Sequence, residues 1–158
     1  MKTRKILRLP TYDYSQNGVY FVTICTEKKQ KCLVDVRRGG VLPRPSGIVV
    51  EKEILALVDR YDIYIDKYVV MPNHVHILMT LRRAGLCPAP TPDLSAIVGA
   101  FKSLSTKAIN KLDNAPGRKF WQRSYYDYAI RNEADYLRAW QYIDENPAHW
   151  AEDEYYSE

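Results

Sequence analysis

Residues 63–81 read IYIDKYVVMPNHVHILMTL, and this stretch decides the fold. Ile63 to Met71 and Val75 to Leu81 are rich in β-branched and aromatic residues, and the intervening Pro72-Asn73 is a turn-forming pair. Two strands joined by a tight turn are predicted. In the second strand His74 and His76 are alternate residues, so both imidazoles share one face while Val75 points into the core. Two of the three histidines in the chain are thereby fixed side by side on a rigid element.

Upstream, GVYFVTICT (18–26) has the composition of a first strand. Residues 31–36 and 41–42 flank Arg37-Arg38-Gly39-Gly40, which suits a short hairpin with glycines at its turn. Ser46 is positioned to cap a helix running to about residue 60, with Val49, Ile54, Leu57 and Val58 near helical spacing. Downstream, the Pro-rich 82–93 segment reads as a surface loop. The next helix, 94–112, carries an apolar stripe of Ile97, Phe101, Leu104, Ala108 and Leu112. After a second loop at 113–119, FWQRSYYDYAI (120–130) is strand-like or irregular. Asn132 starts a final helix, whose positive end suits Glu133 and Asp135, and Pro147 ends it near Asn146. The expected architecture is an α+β, ferredoxin-like sandwich forming one domain over residues 1–158. An antiparallel sheet has helices packed on one face, with a C-terminal helix in addition.

Composition narrows the function without fixing it. Basic residues dominate only mildly: 23 basic against 19 acidic residues leave +4, which permits nucleic acid binding but does not establish it. Cys25, Cys32 and Cys87 lack CxxC spacing, so neither a disulfide framework nor a zinc knuckle is indicated. The basic start offers only Ile6, Leu7 and Leu9 as apolar residues, too few for an export signal, and no run is long enough to span a membrane. A cytoplasmic protein is expected. Thirteen tyrosines supply flat faces for nucleobases or, equally, half-buried packing groups.

Two constellations carry chemistry. The first is His74 and His76, which could supply two adjacent ligands to a divalent ion, or be ordinary polar residues on an exposed strand face. The second is on the last helix. Tyr142 and Asn146 are four residues apart and share a face with Arg138 and Glu145. A phenol is a poor nucleophile at its free pKa near 10 and needs a metal or cationic surroundings to act as one. The alternative is that Tyr142 packs half-buried and Asn146 merely ends the helix. Tyr136, six residues before Tyr142, points elsewhere and forms a core stripe with Trp140 and Ile143.

Taken together, the two constellations resemble the single-tyrosine HUH transposases, especially the REP-associated tyrosine transposases. RLPTYDYSQNGVYFVTICT (8–26), YVVMPNHVHILM (68–79), FKSLSTKAINKL (101–112) and FWQRSYYDYAIRNEADYLRAWQYIDENPAHW (120–150) carry the resemblance across nearly the whole chain. It implies His74 and His76 as metal ligands, Tyr142 as nucleophile and Asn146 as a third polar ligand, where many relatives have glutamine. It also implies a Mg²⁺ or Mn²⁺ cofactor and a ferredoxin-like sheet. The expected activity is cleavage and strand transfer of single-stranded DNA beside hairpins, through a 5′-phosphotyrosine.

The expected DNA contacts are Lys102, Lys107, Lys111, Arg118, Lys119 and Arg123, interleaved with Trp121 and Tyr125 as stacking groups. Lys28, Lys29, Arg37 and Arg38 are further candidates for phosphate. A homodimer is a possible assembly, with the tyrosine helix completing its own site or a partner's. Three rival functions remain at this level. One is a transposase-derived DNA-binding protein without chemistry. Another is an RNA-binding module, although 18–26 and 75–81 lack its aromatic strand pattern. The third is a small-molecule metalloenzyme recruiting His149.

Overall fold

A computed structural model describes residues 18–37, 40–81 and 93–152. Arg38 in the hairpin turn, Cys87, most of the Pro-rich segment and the acidic tail lie outside the described residues. Among the described residues six strands and three α-helices follow one another in the order expected. They are β1 (Gly18–Cys25), β2 (Val34–Arg37), β3 (Gly40–Pro43), α1 (Pro45–Arg60), β4 (Ile63–Val70), β5 (His74–Leu81), α2 (Leu94–Leu112), β6 (Tyr126–Ile130) and α3 (Glu133–Glu145).

The main sheet is antiparallel with strand order β4-β5-β1-β6, and β2 and β3 form a separate two-stranded ribbon. Without that ribbon the chain is a β-α-β-β-α-β unit, the ferredoxin-like arrangement. Alternation along β1 and β5 sorts their side chains onto two faces. Tyr20, Val22 and Ile24 from β1, with Val75, Ile77, Met79 and Leu81 from β5, pack with Val50, Ile54 and Leu57 of α1 and Ile97, Val98 and Phe101 of α2. On the opposite face Phe21 and Leu78 pack with Ile143 of α3. The central strands are therefore buried on both sides, which is why they read as nearly continuous apolar runs. His74 and His76 belong to the α3 face.

Three local expectations are corrected. Ser46 does not cap α1: the helix begins at Pro45, with Arg44 at the N-cap making no side-chain cap bond. Proline suits the first helical position because its φ is preset and its missing N–H has no intrahelical partner there. The buried stripe of α2 is Leu94, Ile97, Val98, Phe101, Ser105 and Ile109, while Leu112 is half exposed. The face is rotated because Ser105 is buried, its hydroxyl accepting a hydrogen bond from Trp121 Nε1 (2.9 Å). Trp140 is partly exposed rather than in a core stripe, with the Lys67 ammonium 4.8 Å from its ring centre. Asn132 does cap α3, accepting from the Asp135 amide at 2.9 Å. Among the described residues no helix is long and apolar enough to cross a membrane.

Candidate active site

Strand register builds the site. Cys25 lies opposite His74 and Thr23 opposite His76 across the β1–β5 ladder. That pairing sets Thr23 Oγ1 at 2.8 Å from His76 Nδ1. His74 is fixed by its neighbour, since its Nδ1 lies 2.7 Å from Asn73 Oδ1. An amide oxygen only accepts, so His74 carries its proton on Nδ1 and turns its Nε2 lone pair inward. The two Nε2 atoms converge to 3.0 Å.

Both imidazoles are essentially inaccessible. Burial pulls the His74 pKa down to about 3, opposed by the Asn146 carboxamide that faces it and reinforced by the charge of Lys29. His74 is accordingly neutral, the form that ligates a metal. The spacing also fits an ion: two nitrogens each about 2.1 Å from one octahedral centre at right angles are about 3.0 Å apart. His76 would then need its proton on Nδ1, where Thr23 Oγ1 can accept it. Among the described residues no third histidine, cysteine or carboxylate joins the pair to make a metal cluster. Asn146, buried at the C-cap of α3, brings its carboxamide against His74. His149, the third histidine, is exposed in the 3-10 segment Pro147–Glu152 that follows.

Tyr142 stands over this pair from α3. Its ring centre is 5.2 Å from that of His76 at 68° and 5.8 Å from that of Phe21 at 75°. Phe21 in turn stacks on His76 at 5.2 Å. Ile143, anchored against Phe21 and Leu78, holds α3 down, and the four-residue spacing turns Tyr142 and Asn146 to the same histidines. Tyr142 is 40% exposed, so its face is open to a large substrate. Arg138, predicted to share this face, instead pairs with Asp135.

Tyr136 is disposed of differently. Its hydroxyl donates to Asp66 Oδ1 at 2.9 Å, and burial together with that carboxylate pushes its pKa up to about 12. Both effects disfavour the phenolate. Sequence reasoning missed Thr23, Asn73 and Phe21 as supporting groups. Asn73 had a visible signal in its position next to His74, but the partnership of Thr23 with His76 depends on strand register.

The expected DNA contacts divide. Lys107, Lys119 and Arg123 are exposed and, with Ser103 and Thr106, line an open groove of about 430 Å³ along α2. Lys111 is exposed near the end of that helix. Arg118 is half-buried, bonded to Asn110 and Asp113. Lys102 is turned inward, its ammonium donating to the carbonyls of Gln122, Arg123 and Ser124 at 2.8–3.2 Å. Tyr125 is half-buried against the core beneath that ammonium. Trp121 is a correction as a stacking platform: only 3% exposed, it packs on Phe101 and donates to Ser105 of α2, so it contributes to the floor of that groove rather than standing out from it.

The sequence pattern of the IS200-like transposases matches residues 16–146. An uncharacterized protein of Haemophilus influenzae is 29% identical, the match covering 97% of this chain and 93% of that one. Among solved structures, a REP-associated tyrosine transposase bound to a REP hairpin superposes with a TM-score of 0.63 at 22% identity, over 90% of this chain and 73% of that one. A Deinococcus radiodurans R1 protein assigned as a transposase gives 0.52 at 18% identity, over 89% and 97%. At these identities the structures show a shared fold, and the sequence pattern shows the family: the chain belongs to the IS200-like transposases.

Proposed function

We propose that the chain is a metal-dependent single-stranded DNA endonuclease and strand transferase that cuts beside DNA hairpins through a phosphotyrosine at Tyr142. The observation that carries this is the placement of an accessible phenol ring 5.2 Å from His76, whose Nε2 converges with that of His74. Mg²⁺ or Mn²⁺ held by His74, His76 and the Asn146 carboxamide would supply Lewis-acid polarisation of a non-bridging phosphate oxygen.

The chain's own residues do the rest. Thr23 and Asn73 fix both rings, so no loop has to be ordered before the substrate is gripped. Tyr142 Oη forms a bond to phosphorus in line with the departing 3′-oxygen. Its O–H bond and the P–O3′ bond break, and the 3′-oxygen takes up a proton. One phosphodiester replaces another, so the reverse attack by a second 3′-hydroxyl completes strand transfer without a nucleotide cofactor. The groove containing Lys107, Lys119 and Arg123 has the charge to follow a phosphate backbone. The hairpin in the REP-associated relative supports structured DNA as substrate.

The test is a covalent-adduct assay with labelled single-stranded fragments from the DNA flanking the gene, run with Mn²⁺ and denatured before electrophoresis. A slow adduct is expected that disappears with EDTA, His76→Ala or Tyr142→Phe and persists in Tyr136→Phe. An adduct that survives Tyr142→Phe refutes the nucleophile. Retention in a native gel with no adduct and no Mn²⁺ binding identifies a DNA-binding protein without chemistry.

A further inference from the structure

The β2–β3 ribbon pairs with neither edge of the main sheet, yet it is fixed tightly to the histidine-bearing turn. The amides of Cys32 and Leu33, leading into β2, both donate to the Pro72 carbonyl at 3.0 and 3.1 Å. Pro72 lies two residues before His74. On the other side, Arg44 N donates to the Leu33 carbonyl at 3.0 Å, and α1 approaches so closely that only a glycine fits at position 47. A ribbon anchored this firmly, with Leu33 and Val34 packed into the main core and β3 left exposed, forms a wall.

Facing that wall across an open cleft of about 530 Å³ is Trp150 of the 3-10 segment. The cleft is lined by Lys31, Asp35, Arg37, Arg44, Pro72 and Trp150, among others. The half-buried Trp150 ring lies 6.0 Å from His74, tilted by 31°, and so separates the cleft from the histidine pair. Three cations face one carboxylate. Asp35 is held between Arg44 (3.6 Å) and Arg37 (4.0 Å), and Arg44 Nη1 also donates to the Lys31 carbonyl at 2.9 Å. An aromatic wall with a net positive, pre-ordered polar rim suits a ligand that is flat at one end and anionic at the other. A nucleotide has that form.

We propose that this cleft is a nucleotide subsite beside the active site. It holds one unpaired nucleotide flanking the scissile phosphate, with its base on Trp150 and its phosphate on the cationic rim. The Asp35–Arg44 pair sets a carboxylate acceptor and a guanidinium donor side by side, giving the cleft a means to prefer one base edge over another. The subsite rests on the phosphotyrosine reading for its neighbour, the scissile phosphate, but its occupancy does not require the bond to be cut.

Equilibrium binding in the Tyr142→Phe protein tests it, by fluorescence anisotropy with a labelled hairpin fragment bearing a single-stranded flank. Each flank position in turn is made abasic. One position is expected to lose roughly tenfold in affinity, Trp150→Ala is expected to lose about as much, and the two losses together should not add. Arg37→Gln, a change at an exposed side chain, should weaken binding without abolishing the sensitivity to that abasic position, and the weakening should shrink at high salt. Additive losses, or abasic sensitivity unchanged by Trp150→Ala, overturn the subsite. If Trp150→Ala fails to fold, Trp150→Leu at the same position serves the same comparison. An adduct in the wild type without this coupling leaves the tyrosine chemistry standing and rejects the subsite. Coupling without any adduct supports the subsite and rejects the cutting reaction.

Discussion

Replacing Trp121 by alanine separates a core residue from a DNA platform. The ring is 3% exposed, packs at 5.5 Å from Phe101 and 4.9 Å from Phe120, and donates through Nε1 to Ser105 Oγ. Truncating a buried tryptophan costs about 3–5 kcal/mol through lost transfer energy and the cavity left behind. The lost hydrogen bond adds about 1 kcal/mol. It adds no more because Ser105 Oγ keeps its own donation to the Phe101 carbonyl at 2.6 Å. For a domain of this size each kcal/mol lowers the melting temperature by about 2–4 °C, so the expected drop is about 10–20 °C. Trp121→Phe keeps most of the packing and should lose only about 1–2 kcal/mol. Thermal denaturation followed by circular dichroism measures both, and anisotropy with single-stranded DNA is read on the folded Trp121→Phe protein. Binding by that variant should match the wild type. A Trp121→Ala protein that melts within a few degrees of wild type yet loses DNA affinity would refute the placement and restore Trp121 as a stacking residue.

Two further outcomes follow from local geometry. A Cβ at Gly47 would lie 2.0 Å from the Leu33 carbonyl oxygen, which is backbone and cannot swing aside, so Gly47→Ala should destabilise by about 1–3 kcal/mol and speed hydrogen exchange in β2. The control is Gly99→Ala on the exposed face of α2, where nothing lies within 4 Å; it should stabilise by about 0.5–1 kcal/mol in the same denaturation experiment. At Asp135, burial raises the carboxyl pKa, but the Arg131 amide, the Tyr128 hydroxyl and Arg138 together bring it below its ordinary 3.8. Its folded pKa is thus depressed, so its contribution is present above about pH 4 and is lost as pH falls through the folded value. Asp135→Asn should lower the melting temperature at pH 7 and converge with wild type in acid, and a constant gap down to pH 2 would contradict this.

Much of the molecule was legible in the chain itself. The 3.6- and 2-residue periodicities are local, so the order of strands and helices could be read directly, and so could the shared face of His74 and His76. The same holds for Tyr142 and Asn146, whose four-residue spacing on α3 turns them together whatever lies opposite. Segment 120–130 was ambiguous because an edge strand of five residues, Tyr126–Ile130, leaves too short a pattern to distinguish from irregular chain.

What only the tertiary structure decided concerns partners distant in sequence. Trp121 looked like a stacking residue because it sits among cations, yet its place was set by Ser105, sixteen positions away. Lys102 looked like a surface charge until the 122–124 carbonyls folded over it. Thr23 meets His76 across 53 residues through strand register. Tyr142 reaches the histidines because α3 crosses the sheet face opposite α1 and α2. The sequence by itself determined which groups the chemistry could use, since side-chain type and local spacing are covalent properties. Their convergence is a property of strand pairing and helix docking, where burial of whole faces chooses among arrangements that no local pattern distinguishes.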